Sequence, residues 1–311
     1  MASVQVEHGT PEWHQLRRVN IGSSEVSSLF GKGFSTAFQL GAEKNGILSA
    51  DDLSSNERVL IGSALEAGIA EAVRIKFDVK LRKVRRYITH ATVDGMGASL
   101  DYEELTPDAG WVPAEIKNVD YLVFRDSWEK DEELGYIPPD GYLLQVQHQL
   151  ACTGKPYCYV YALVGGNELH RIKIERSNEL IGAIERAVEA FWRRQRAGEP
   201  QPVDYLEDRS ALMSVHLDIL RKEQDLSSDI ELAALVQQYA DVKRTADSAT
   251  EELERIKSQI FLKVKDAEKV RACGASINCR LVPAKPARTV EYKASEARRE
   301  MRIYLAKELK A

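Results

Sequence analysis

Asp101, Glu115 and Lys117 are of the residue types that hydrolyse phosphodiesters. Asp101 closes the short run MGASLD, and fourteen residues later Glu115-Ile116-Lys117 lies inside the apolar stretch WVPAEIK. In a strand, alternate side chains share a face, so Glu115 and Lys117 point one way and Ile116 the other. With Asp101 on a neighbouring strand, two carboxylates and a backbone carbonyl make an oxygen-rich site suited to Mg²⁺ or Mn²⁺. The lysine can orient or deprotonate a water, or offset phosphate charge. The spacing alone is unspecific, because a strand-borne Glu-x-Lys is often a surface ion pair. Its setting in an apolar run makes it more telling, since an unneutralised buried carboxylate is costly.

Other polar groups interrupt apolar surroundings. Glu66 lies within GSALEAGIAEA, and Gln145 and Gln147 interrupt YLLQVQHQLA. On a helix Gln145 and Gln149 share a face with Tyr142. Upstream, Arg17 precedes Gly22-Ser-Ser-Glu25, which reads as a polar turn feeding a helix, with Ser23 or Ser24 as its cap. An arginine beside a hydroxyl and helix N-terminal amides forms an anion site.

The elements that must position these groups read as a mixed α/β unit. Helices are expected over 11–18, 37–45 (stopping at Gly46), 56–77, 142–152 and 178–196. Strands are expected over 79–88, 96–102, 111–117, 157–163 and 169–174, the last two around a Gly165-Gly166-Asn167 turn. GEPQP at 198–202 reads as a linker. Beyond it Leu232, Leu235, Tyr239, Val242, Ala246, Ala249, Leu253, Ile256 and Ile260 follow a 3–4 spacing, the seam of a coiled coil or helical hairpin. A β-hairpin is expected over 271–291 and a basic helix over 294–311; residues 280–311 hold nine basic and four acidic side chains. The division is therefore a core of 1–205 and an extension of 206–311.

The composition sets bounds. The 311 residues carry a formal net charge of −5 with 44% hydrophobic and 29% charged residues, so a nucleic-acid site must be a local patch. No run of about 18 apolar residues predicts a membrane span, and no secretory leader is apparent, so a cytoplasmic protein with reduced thiols is expected. His148, next to the Gln145 stripe, reads as a packed or surface helix histidine or as a group approaching the site, Glu71 as an exposed ion-pairing residue, and Trp13 and Trp192 as core aromatics, with Trp13 also near enough to Arg17 to wedge a DNA end. Lys130–Glu133 reads as a solvated loop. The tail reads as a solvated helix face or a contact for the DNA backbone.

The pieces RRVNIGSSEVSSLFG, IGSALEAGIAEA, GASLDY, AEIK, YLLQVQHQLACTG and AIERAVEAFWRRQRAGEPQP, in this order over about residues 10–205, resemble the YqaJ-type viral recombinases. These are relatives of phage lambda exonuclease in the PD-(D/E)xK nuclease superfamily. The resemblance implies a restriction-endonuclease-like core, a mixed β-sheet flanked by helices. It implies that Asp101, Glu115 and the Ile116 carbonyl bind a metal and that Glu66 contributes to a second ion. Lys117 would position or activate the attacking water, Gln145 would orient water or substrate, and Arg17 and Ser24 would grip a 5′-phosphate. Leu100 and Tyr102 depart from the family's usual proline before and glycine after the aspartate, and Tyr102 would narrow the pocket.

The activity so implied is a Mg²⁺- or Mn²⁺-dependent 5′→3′ exonuclease on double-stranded DNA ends that leaves 3′ overhangs for recombination. It would work as a homo-oligomeric ring, a trimer, beside a single-strand annealing protein, in a bacterial host's cytoplasm and of phage or prophage origin. The rivals are a non-catalytic DNA-end-binding scaffold and a structure-specific endonuclease of the same superfamily.

Overall fold

The computed structural model describes residues 2–49, 56–132, 135–215, 224–272 and 274–281. The chain divides into two units, Met1–Val215 and His216–Ala311. The first runs β1 (Ala2–Gln5), α1 (Pro11–Val19), a 3-10 turn (Val26–Phe30), α2 (Ala37–Lys44), α3 (Glu57–Phe77), β2 (Lys80–Lys83), β3 (Arg86–Thr89), β4 (Gly97–Ser99), β5 (Tyr102–Thr106) and β6 (Gly110–Val119). It continues with α4 (Tyr121–Ser127), β7 (Glu129–Asp131), β8 (Gly135–Ile137), α5 (Asp140–Thr153), β9 (Tyr157–Val164), β10 (Glu168–Glu175), α6 (Asn178–Ala197) and α7 (Arg209–Val215).

The helices begin where the sequence supplies caps. Thr10, Thr36, Asn56, Asp120 and Ser177 each accept from amides of the first turn, and Thr36 with Gln39 closes a capping box.

A five-stranded mixed sheet, ordered β10-β9-β6-β5-β2, forms the centre; β6 and β9 are parallel and the other neighbours antiparallel. Strand alternation splits β6 as the sequence predicts. Ala114 and Ile116 pack with Ile69, Ala70 and Val73 of α3 on one face. Val119 joins Leu144, Val146 and Leu150 of α5 and Ile184 and Val188 of α6 on the other, the face that also receives Glu115 and Lys117. The result is a mixed α/β fold with helices on both sides of the sheet.

Where 79–88 and 96–102 were each expected to be one strand, each is two. β3 and β4 belong to a second sheet, ordered β1-β3-β4, whereas β2 and β5 belong to the central one. Between Lys83↔Tyr102 and Tyr87↔Ser99, three residues (84–86) oppose two (100 and 101). This extra residue is a β-bulge, and it bends the ribbon from one sheet into the next. Asp101 sits at that bend.

Gly97 in β4 is packed from both directions. Its amide donates to Ile21 O, and its carbonyl accepts from Nε2 of His148, which burial pushes down to about 4 and so keeps neutral. Of the packed and surface alternatives for His148, the structure shows the packed one. A Cβ on Gly97 would lie 2.4 Å from Tyr87 Cε1. Gly97→Ala is expected to cost roughly 1–3 kcal/mol by overpacking, read as a lowered midpoint in urea unfolding. An unchanged midpoint would mean the Tyr87 ring is free to move aside.

Other expectations need correction. The segment after Gly22-Ser-Ser-Glu is a five-residue 3-10 turn, not an α-helix, and neither Ser23 nor Ser24 caps it; Glu25 holds the cap position without a side-chain cap bond. Lys130 and Asp131 are not in a loop but pair with Tyr136 and Gly135 in the β7–β8 hairpin, while Glu133 lies outside the described residues. The GEPQP segment is no free linker, because Gln201 is buried and donates to Phe191 O.

In the second unit, α8 (Ile230–Val264) carries the whole 3–4 seam on one continuous helix, with Leu235, Val242 and Leu253 exposed along it. β11 (Lys269–Ala272) pairs antiparallel with β12 (Ala275–Asn278) around Gly274. Residues 279–281 continue without strand structure, and the remainder of the expected hairpin and the basic helix lie outside the described residues.

Candidate active site

Glu115 is 3% exposed, yet its carboxylate is saturated with donors. Oε1 accepts from Lys117 Nζ at 2.7 Å and from Gln145 Nε2 at 2.6 Å; Oε2 accepts from Gln149 Nε2 at 2.7 Å. Lys117 Nζ also donates to Gln145 Oε1 at 3.1 Å and lies 4.8 Å from the centre of the Tyr142 ring. The two elements supply this by periodicity alone. Residues two apart on β6 face α5, and residues 142, 145 and 149 face back from one stripe of α5.

Asp101 reaches the same place from the bulge. β5 pairs with β6 only up to Tyr102↔Ala114, so the Ile116 amide has no strand partner on that side. It donates instead to Asp101 Oδ2 at 3.1 Å. In a strand the C=O of a residue faces the same edge as its N–H, so the Ile116 carbonyl points to the Asp101 edge.

The structure thus brings together Asp101, Glu115, Ile116, Lys117 and Gln145. Gln149 joins them as a residue not counted in the site from sequence, although its spacing from Gln145 placed it on the same stripe. Glu66 stands aside. It pairs with Lys83 at 3.0 Å and reaches Asp101 only through its charge.

Among the described residues no three His, Cys, Asp or Glu side chains converge on one metal position. Two carboxylates are nonetheless the usual protein share for Mg²⁺, which keeps waters and takes further oxygens from a phosphate. The donors here are all oxygen, and Gln149 Oε1 is buried beside Glu115 without a hydrogen-bond partner. This donor set fits a hard divalent cation.

The anchor predicted upstream is assembled differently from expectation. Arg17 Nη2 donates to Glu25 Oε1 at 2.5 Å, and its guanidinium lies 4.7 Å from the centre of the Trp13 ring. Trp13 is a core residue, bonded through Nε1 to Ser99 Oγ at 2.7 Å, with the ring of the exposed His8 tilted 47° against it at a centroid distance of 4.1 Å. Ser24 is exposed and forms no cap. Any anion site here rests on Arg17, not on helix amides. Glu71 pairs with Arg74 at 2.8 Å, as its position predicts.

The sequence model for the YqaJ-like viral recombinase domain matches residues 12–156. Residues 12–156 are thus similar to a YqaJ-like viral recombinase domain. That stretch runs from α1 to the turn before β9 and so contains Arg17, Glu25, Glu66, Asp101, Glu115, Lys117, Gln145 and Gln149. The chain is similar to the uncharacterized protein YqaJ of Bacillus subtilis (strain 168), 29% identical over 269 residues, 84% of this chain and 80% of that one. It also resembles an alkaline exonuclease, LHK-Exo, from Laribacter hongkongensis (23% identity, TM-score 0.46, 65% of this chain and 99% of that one). A putative exonuclease from Eubacterium rectale matches at 14% identity and TM-score 0.44, over 72% of this chain and 98% of that one. No helix among the described residues is long and apolar enough to cross a membrane.

The electrostatics of the YqaJ-like domain centre on one carboxyl. Burial, and then the charge of Glu115, push Asp101 up to about 8; Lys117 and the Ile116 amide pull the other way without prevailing. For Lys117, burial favours the neutral amine, but Glu115 and Asp101 outweigh it and hold the ammonium above its ordinary range. The resting lysine is therefore a cation and a hydrogen-bond donor, not a free base.

Proposed function

We propose that the YqaJ-like domain is a divalent-metal-dependent deoxyribonuclease that degrades double-stranded DNA from its 5′ ends and leaves 3′ overhangs. The observation that carries this reading is the Glu115 carboxylate, buried and held by Lys117, Gln145 and Gln149 beside Asp101. A structural carboxylate has no need of a second acid whose ionisation its own charge opposes. A catalytic pair gains from it, because the strain is relieved when a cation binds.

Asp101, Glu115 and the Ile116 carbonyl would hold that cation, Mg²⁺ or Mn²⁺, and Glu66, on giving up its pairing with Lys83, would contribute to a second one. The bound metal supplies Lewis-acid charge at the phosphoryl oxygens. The protein's own groups do the remainder. Lys117, kept protonated, donates to the attacking water or to a phosphate oxygen. Gln145, which contacts both Lys117 and Glu115, fixes the ammonium's direction. Arg17 takes the terminal 5′-phosphate, with Ser24 on the adjacent turn, so each cut renews an equivalent end for the next.

The family resemblance supports the surrounding biology. Copies of the chain close into a ring, a trimer, around the duplex. The 3′ strand passes to a single-strand annealing protein, which accords with a viral recombinase domain, in the cytoplasm of a bacterial host.

The test uses linear duplex with a radiolabelled 5′-phosphate, 3′-labelled duplex, and covalently closed circles, each with Mg²⁺ or EDTA. Release of labelled mononucleotide from 5′ ends first, with Mg²⁺ only and with circles intact, is expected. Cutting of circles would favour an endonuclease. No metal-dependent release from any substrate would favour an end-binding scaffold.

A further inference from the structure

We propose that Glu25 and Lys44 are positioning residues for DNA-end recognition, forming a buried mount that fixes the Arg17 guanidinium for a 5′-phosphate. The proposal rests on Arg17 being the phosphate anchor, and it names two residues to which neither the domain match nor the resemblance gives a role. Glu25 bridges two cations: Oε1 accepts from Arg17 Nη2 at 2.5 Å, and Oε2 accepts from Lys44 Nζ at 2.8 Å and from the Gly22 amide at 2.8 Å. Lys44 has no donor to spare. Its Nζ also gives bonds to Arg17 O at 2.6 Å and Asn20 O at 3.0 Å, and its side chain is 6% exposed, against 16% for Glu25 and 28% for Arg17. Exposure rises along the series from Lys44 through Glu25 to Arg17, so the order runs from buried foundation to working end.

The charges explain why the mount is not itself the site. Glu25 lies between two cationic side chains; burial lowers the pKa of Lys44, and the charge of Glu25 pulls the other way. Burial alone would raise the Glu25 carboxyl, but Lys44 and Arg17 overcome it and keep the group ionised. Glu25 cannot leave to make way for a phosphate without stranding Lys44 in the interior, so it does not act as a competing anion. Arg17 spends one N–H edge on Glu25 and one face on Trp13. Its other donors stay in a fixed direction, which is what bidentate phosphate recognition requires. A lone arginine on α1 would have to freeze its own rotamers on binding; here the fold has already done so.

The test measures binding in EDTA, so that it needs no turnover. The probe is a hairpin duplex with a fluorophore in its loop and one open end, bearing either 5′-phosphate or 5′-hydroxyl. A charge-assisted contact predicts a preference of about 10-fold or more for phosphate in the natural protein. Arg17→Ala is expected to abolish that preference. Glu25→Gln is expected to cut it at least about threefold, through weaker binding of phosphorylated ends and not of hydroxyl ends. The double variant Glu25→Gln with Lys44→Met removes the stranded charge and guards against loss of folding; it is expected to show the same reduced preference with a native circular-dichroism spectrum. A preference unchanged or increased in the folded double variant, where Arg17→Ala has abolished it, would overturn the mount. A preference that survives Arg17→Ala would instead overturn Arg17 as the anchor.

Discussion

Lys117→Ala is expected to lower turnover on linear duplex by at least about 10²-fold, the scale for losing a positioned proton donor or acceptor, while end binding stays within a few-fold. The geometry gives the reason. Lys117 Nζ is 2.7 Å from Glu115 Oε1 and 3.1 Å from Gln145 Oε1, and both contacts lie on the strand face opposite α3. Removing it leaves Glu115 with two amide donors, Gln145 and Gln149, so the carboxylate stays satisfied and the fold survives. Lys117→Arg separates the two possible roles of the lysine. An arginine keeps the charge and the donors but cannot give up its proton. Because the lysine is held protonated by its neighbours, Lys117→Arg should recover a measurable part of the activity lost in the alanine variant. Equal inactivity of the two, with a normal pH profile for the natural enzyme rising through the lysine's own titration, would instead make the lysine a base.

How much of this was legible in the sequence depends on how far each arrangement reaches. Glu115 and Lys117 on one face, or Tyr142, Gln145 and Gln149 on one stripe, follow from the period of a single element. The α3 and α6 boundaries were likewise marked locally, by Asn56 and by Gly198 in the left-handed region. Arrangements that need two distant segments were not legible. The 84–86 bulge depends on how β3 and β4 leave the central sheet, and no residue in VRRYI announces it. Yet this bulge carries Asp101 to the Ile116 amide. Glu25 was read as part of a polar turn because its partner Lys44 lies nineteen residues away at the end of α2. The same limit applies to Glu103 and Glu104, adjacent and both buried in β5. Glu103 is neutralised by Arg82 and Arg86, Glu104 by Arg171 and the Tyr161 hydroxyl. Two buried carboxylates beside the site are thus structural, and only their cross-strand cations distinguish them from Glu115.

Asp101→Asn should do two opposite things at once. Turnover should fall by at least about 10³-fold, because an amide cannot supply the anionic oxygen that holds the cation, and several kcal/mol of transition-state stabilisation go with it. In EDTA at pH 8, however, the variant should melt above the natural protein. The sign follows from proton binding. Asp101 titrates near 4 when unfolded but at about 8 when folded, because burial and then Glu115 oppose its charge. Below about pH 4 both states hold the proton and this contribution to stability is fully present. Between about 4 and 8 the unfolded state releases the proton while the folded state keeps it, so stability falls as pH rises. Above about 8 both are ionised and the loss is complete. The metal-free natural protein should therefore lose melting temperature from pH 5 to 8 more steeply than Asp101→Asn. Mg²⁺ should reverse that loss, since it binds only the ionised form, and its affinity should climb over the same interval. At a hundred times its dissociation constant it would add about 2.7 kcal/mol, several degrees for a unit of this size. The variant should gain little from Mg²⁺ at any pH. Parallel melting curves for the two proteins in EDTA would mean that Asp101 is ionised without a cation, and the poised carboxyl pair would then be no part of how the site selects metal.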